Sequence, residues 1–157
     1  VELLTWVSVL AGVFHLLISV GTLLLVLMIF RGGVPVTAIA LPLVLLPFLP
    51  FLLGLGWFLS AMGVYVRDVG PMMTMVVGLT MFMSPVFYAV ASLDVGWQFW
   101  MNLNPLTLII EQVRAVLLLG QWPDWRALGL YCVLAGAFAA GGATFFQLTR
   151  KGFSDVL

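Results

Sequence analysis

The sequence predicts an all-α integral membrane protein, on three observations. Of 157 residues, 64% are hydrophobic and 8% charged, and the mean hydropathy is +1.23. A soluble domain carries about 25% charged residues, so this chain has too few to cover a water-facing surface. Apolar runs recur at lengths near the roughly 20 helical residues that cross hydrocarbon about 30 Å thick. Four of the six tryptophans, Trp97, Trp100, Trp122 and Trp125, fall in one interval between two such runs. Their half-buried rings and hydrated N–H groups suit a membrane–water interface.

The spacing predicts four spans, near residues 3–30, 36–63, 71–91 and 127–148. The first carries only mild polar groups, Ser8, His15, Ser19 and Thr22, and ends at "RGG", where glycine terminates a helix at little cost. The second is punctuated by Pro35, Pro42, Pro47 and Pro50. Each removes a backbone donor and disfavours helix in the residue before it. A kinked or late-starting helix is expected, most regular over 51–63, with Gly56 and Ser60 offering close packing. Pro71 suits the first turn of the third span, and Pro85 falls near its far end. The fourth has Asp124 as N-cap and a small-residue face of Ala135, Ala139 and Ala143 beside Gly136, Gly141 and Gly142.

Residues 92–126 read differently. Inside them Asn104 can cap a helix, Pro105 fits its first position, and Gly120 stops it. About 15 residues at 1.5 Å each reach roughly 22 Å, too short to cross. This is a short interfacial or re-entrant helix, with Thr107, Glu111 and Arg114 on one face.

Several function classes are excluded or weakened. Six Lys/Arg balance six Asp/Glu, which leaves no basic surface for nucleic acid. The lone Cys132 forms no intrachain disulfide and reads as a small buried apolar residue. No metal-binding or nucleophile motif is present, and no phosphate loop, so a nucleotide would have to be bound by another chain. His15 reads as an interior polar contact, with a proton relay or ligand as the alternative. The start at Val1 shows no signal-peptide pattern and suggests that the N-terminal part of a longer protein is missing, whereas the polar C-terminus looks natural.

Charge and proline mark the candidate sites. Arg67 and Asp68 sit where the second span leaves the membrane and are either an ordinary hydrated turn or a contact for a soluble partner. Ser84 and Pro85 interrupt the third span. Non-helical backbone at that depth survives only inside protein or beside a wet cavity. The reading is either a simple kink or the outer end of a transport path lined by Phe87 and Tyr88. Glu111 and Arg114 are either a solvated face or part of a gate helix across that path. Both chain ends fall on one side. Arg67, Arg150 and Lys151 on that side tie with Arg31, Arg114 and Arg126 on the other, and the basic tail favours cytoplasmic ends.

In order and spacing, "LGWFLSAMGVYVRDVG", "MFMSPVFYAV", "NLNPLTLIIEQVRAVLLLG" and "RKGFSDVL" resemble the membrane subunit of ABC-2-type exporters of polysaccharides and polyol phosphates, such as O-antigen, capsule and teichoic-acid permeases. The resemblance covers essentially the whole chain. It implies a multi-pass protein of the inner (cytoplasmic) membrane, a homodimer working with two copies of a separate ATPase that binds ATP and Mg. Such a permease has six transmembrane helices and moves lipid-linked glycans outward. Residues 1–157 would be a single transmembrane domain holding the last four helices. An amphipathic segment, two helices and the main coupling helix would precede Val1. It further implies that 92–126 is an external region with two gate helices, near 95–101 and 105–119, carrying Trp97, Trp100, Asn104, Pro105, Glu111 and Arg114. Arg67 and Asp68 would lie in a short cytoplasmic loop. No cofactor is expected in this chain. The alternatives are an ABC-2-type drug or lipid exporter, an intramembrane enzyme acting on lipids, and an assembly scaffold.

Overall fold

A computed structural model describes residues 2–66, 68–86 and 88–150, and all regular structure among them is helical. Helix α1 (Glu2–Arg31) is followed by Gly32 in the left-handed region, at φ 71°, a conformation that suits glycine. The prolines then act as expected. Pro35 precedes a 3-10 turn (Val36–Ala40), Pro42 lies in the first turn of α2 (Leu41–Leu45), and Pro47 caps α3 (Phe48–Tyr65). Pro50 falls in the first turn of α3, where a missing N–H costs nothing. The regular helix therefore begins three residues earlier than the sequence suggests.

The third apolar run is helical only over α4 (Val69–Phe82), shorter than the expected 71–91. Its 14 residues reach roughly 21 Å. A 3-10 turn (Val90–Ser92), α5 (Val95–Asn102) and α6 (Pro105–Arg114) follow. The helix expected to run on to residue 119 changes to a π turn at Ala115–Leu119, closed by Gly120 at φ 65°. Helix α7 (Trp125–Thr149) opens as expected on Asp124, whose carboxylate accepts from the N–H groups of Arg126 and Ala127. Among the described residues, three segments are long and apolar enough to cross a membrane: Thr5–Arg31, Val36–Tyr65 and Trp125–Thr149.

Helix α3 is the axis of the bundle. It runs antiparallel to α1, with Trp57 edge-on to Trp6 at 6.1 Å and the Ser60 and Thr5 hydroxyls 3.4 Å apart. It runs parallel to α7, its most extensive neighbour. Phe51 stacks on Phe138 at 5.4 Å, and Phe58 meets Phe145 at 5.3 Å. The Tyr65 hydroxyl donates to the Thr149 carbonyl. Glycine makes both contacts close: a Cβ on Gly56 would lie 2.7 Å from Thr5 Cγ2, and one on Gly54 would lie 2.8 Å from the Ala139 Cα. Gly142 sits directly against the Gly54 backbone, whereas Gly136 and Gly141 face open space. Half of the small-residue face foreseen on α7 is thus used inside the chain.

The buried core gathers at one end of the bundle. Val44, Ile109, Val116 and Leu128 form one cluster, and Leu27, Leu41 and Leu117 form a second. These residues come from α1, α2, α6, the π turn and α7, so α6 is wedged among the spans. Cys132 is half-buried. His15 is exposed on α1, its ring beside Phe14, so the interior contact expected for it is not made within the described residues.

Candidate functional site

The site begins at a backbone problem. Pro85 has no N–H, so the helical ladder of α4 cannot continue through it. The Ser84 N–H turns instead to the Met81 carbonyl at 3.2 Å, and the Val86 N–H reaches the Ser84 carbonyl at 2.8 Å. Ser84 is buried, at 2% exposure. The Pro85 and Val86 carbonyls point away from any helix of their own. Buried backbone acceptors without partners are costly.

Helix α6 supplies those partners. Arg114 Nη2 donates to both the Pro85 and the Val86 carbonyls, the latter at 3.1 Å. Glu111 Oε1 accepts from the Val90 N–H at 2.9 Å. Asn104 works in two directions: its Oδ1 accepts from the Leu106 N–H and caps α6, while its Nδ2 donates to Ser84 Oγ at 3.2 Å. The Ser84 hydroxyl in turn donates to the Thr80 carbonyl at 2.7 Å. Glu111 and Arg114 also face each other, with Oε1 and Nη1 3.8 Å apart. Their side chains are 37% and 19% exposed, so Arg114 is more enclosed than a solvated helix face would leave it.

The clamp has fixed footings. Thr107 Oγ1 donates to the Met101 carbonyl at 2.6 Å and ties α6 to the end of α5. At the other end the π turn leaves carbonyls that α-geometry would have used. Thr37 Oγ1 donates to the Val116 carbonyl at 2.6 Å, and Arg31 Nη1 to the Leu118 carbonyl at 2.7 Å. Gln112 Oε1 accepts from the Asp124 N–H at 2.9 Å, which holds the start of α7 as well.

Of the residues singled out in the sequence, the structure brings Ser84, Pro85, Asn104, Glu111 and Arg114 together. Tyr88 lies beside them, its hydroxyl 3.8 Å from Met101 Sδ, a weak acceptor. Pro105 occupies the first position of α6. Trp97 and Trp100 are not part of the cluster; they are exposed on α5 at 66% and 60%. Asp68 occupies the N-cap position of α4, where its side chain makes no capping bond. Arg67 and Phe87 lie outside the described residues, as do Lys151 and the rest of the tail. Sequence reasoning missed the roles of Thr37 and Arg31. It also missed that Asn104, Thr107, Glu111 and Arg114, spaced 3-4-3 along one helix face, act as a set. That polar stripe was visible in the sequence; the break it would bind was not.

Residues 3–118 match the family described as ABC-2 type transporter. The chain belongs to that family. It is therefore a multi-pass membrane component of a transporter, and the family is not a catalytic one, which sets aside the reading as a lipid-processing enzyme. No curated protein and no solved structure matches it. The family match includes α4, the Ser-Pro break and α6 of this ABC-2 permease and stops within the π turn, so α7 lies beyond it.

Proposed function

We propose that this chain is the permease half of an ATP-driven exporter that moves lipid-linked polysaccharide outward across the cytoplasmic membrane. The family match over 3–118 carries the transporter reading. Family membership implies an ABC ATPase partner, which would bind ATP and Mg. The polysaccharide cargo rests on the sequence resemblance, in particular on the order of the four motifs quoted above. The permease would act as a homodimer with its C-terminus in the cytoplasm. Arg67 and Asp68 would form the short cytoplasmic loop that meets the ATPase.

In this reading the nucleotide state of the partner biases two arrangements of near-rigid helices. Helix α4 has no buried residue and touches the bundle chiefly through α3, so it is the helix freest to shift. Its far end is tied to α6 by Asn104, Glu111 and Arg114, and α6 is embedded in the core. Movement of α4 would bend the chain at Ser84 and Pro85 rather than carry α6 with it. Phe87 and Tyr88 would line the path beyond the bend, and the exposed rings of Trp97 and Trp100 would stack against sugar at its mouth.

The test is export of labelled lipid-linked glycan from vesicles containing the full-length permease and its ATPase. The double substitution Glu111→Ala and Arg114→Ala should reduce export strongly while dimer assembly and ATPase binding persist. Undiminished export in that variant removes the clamp from the mechanism. Export of an unrelated amphiphilic drug in place of glycan removes the cargo assignment.

A further inference from the structure

Helix α6 runs antiparallel to α7. Gln112 accepts from the Asp124 N–H at the start of α7, and Ile109 shares a core cluster with Leu128, one turn further on. The α5–α6 corner, Asn102–Asn104, therefore points back into the membrane. Two lengths give its depth. From Gln112 to Asn104 is roughly 12 Å along α6. Helix α7 has 25 residues, which reach roughly 37 Å and overhang about 30 Å of hydrocarbon by roughly 4 Å at each end. The corner then lies roughly 8 Å inside the hydrocarbon. The other measure starts from the opposite face. Asn104 donates to Ser84, which is roughly 22 Å along the chain from Val69 at the start of α4 and again roughly 8 Å short of the outer edge.

The corner does not suit lipid. Helix α5 ends at Asn102 and α6 opens at Pro105, so the backbone between them is non-helical. Asn102 and Leu103 are both exposed, Leu103 at 61%. The Asn102 carboxamide makes no hydrogen bond among the described residues. Non-helical backbone at membrane depth persists only inside protein or beside water, and the described residues do not enclose this corner. We infer that the corner borders a water-filled cavity in the outer leaflet, beside the Ser84–Pro85 break, and that Asn102 is its polar contact. A carboxamide both donates and accepts, which matches the hydroxyl groups of a glycan. The inference deepens the transport reading and rests on it for the cargo alone; water at the corner follows from depth and exposure.

Two measurements test this on the full-length protein in vesicles, in a Cys132→Ala background. Asn102→Cys is compared with Val133→Cys, which is 69% exposed on α7 at the level of the corner. A charged, membrane-impermeant methanethiosulfonate reacts with thiolate, which forms in water. It should modify Asn102→Cys from outside and leave Val133→Cys unmodified. A nitroxide attached at 102 should then be relaxed more by a water-soluble nickel chelate than by dioxygen, which concentrates in lipid, and one at 133 should show the reverse. Asn102→Cys left unmodified, the two positions reacting alike, or a nitroxide at 102 that dioxygen relaxes more or that neither agent reaches, each overturns the proposal. Neither measurement involves cargo. A dry corner therefore removes the cavity and leaves transport to its own assay, whereas failed glycan export beside a wet corner removes only the cargo assignment.

Discussion

Arg114 is the residue on which the candidate site turns. One nitrogen serves the Pro85 and Val86 carbonyls, which lie past the end of α4 and have no helical partner. A hydrogen bond from a charged donor is worth about 1.5–3 kcal/mol. Arg114→Ala should therefore lower the stability of the purified protein by about 2–3 kcal/mol, read as a fall in thermal unfolding midpoint. Arg114→Lys should recover part of this, because an ammonium supplies charge without the planar fork. A midpoint unchanged in Arg114→Ala contradicts the clamp. Glu111 acts as an acceptor for the Val90 N–H, and an amide oxygen accepts as well. Glu111→Gln should stay within about 1 kcal/mol of the parent, whereas Glu111→Ala leaves a donor unsatisfied and should cost about 1–3 kcal/mol. If the two behave alike, the carboxylate serves through its charge and not through this bond.

Among the elements, the α3–α7 pair sets the limits on substitution. Gly142 lies against the Gly54 backbone and Gly141, one residue earlier, faces open space. Backbone cannot yield as a flexible side chain would, and overpacking costs about 1–3 kcal/mol. Gly142→Ala should therefore destabilise the protein by at least that much and separate Phe51 from Phe138. Gly141→Ala should be neutral or stabilising, since alanine is favoured over glycine in a helix by up to about 1 kcal/mol. Thermal unfolding of the two variants side by side decides, and equal effects would place the contact elsewhere. Helix α6, with its cap and the π turn that follows, shows a related division. Ile109, Val113 and Val116 face the core, while Asn104, Thr107, Glu111 and Arg114 bind the Ser84 hydroxyl, the backbone of the break and the end of α5.

At the scale of the molecule, alternation of direction fixes the sides. Helix α1 runs one way, α2 and α3 return, α4 turns back, and α7 runs parallel to α3, so Asp68 and Thr149 share one face. The turn at Gln121 and Pro123 lies at the opposite end of α7. In a Cys132→Ala background, Asp68→Cys and Gln121→Cys should react with a membrane-impermeant maleimide from opposite sides. With the proposed orientation, intact cells label only Gln121→Cys. Labelling of both from outside would break the topology; the reverse pattern would invert the orientation and leave the fold standing.

Much of the architecture was legible from the chain alone, because hydropathy and helix-ending residues act locally. Apolar length placed α1 and α7, Asp124 and Asn104 announced their caps, and four prolines foretold the irregular start of the second span. The family could also be read, since motif order needs no coordinates. Other features depended on which surfaces meet. The sequence marks Pro85 as a break but cannot say which group donates to the carbonyls that follow it. That answer comes from Arg114, 29 residues away. The π turn is likewise met by Thr37 and Arg31 from the far side of the bundle, and Gly142 differs from Gly141 only by what it faces. Local propensity and transfer free energy act along the chain and are written in it, whereas satisfaction of buried polar groups and contact between helices arise between distant segments and are decided only when the chain has folded.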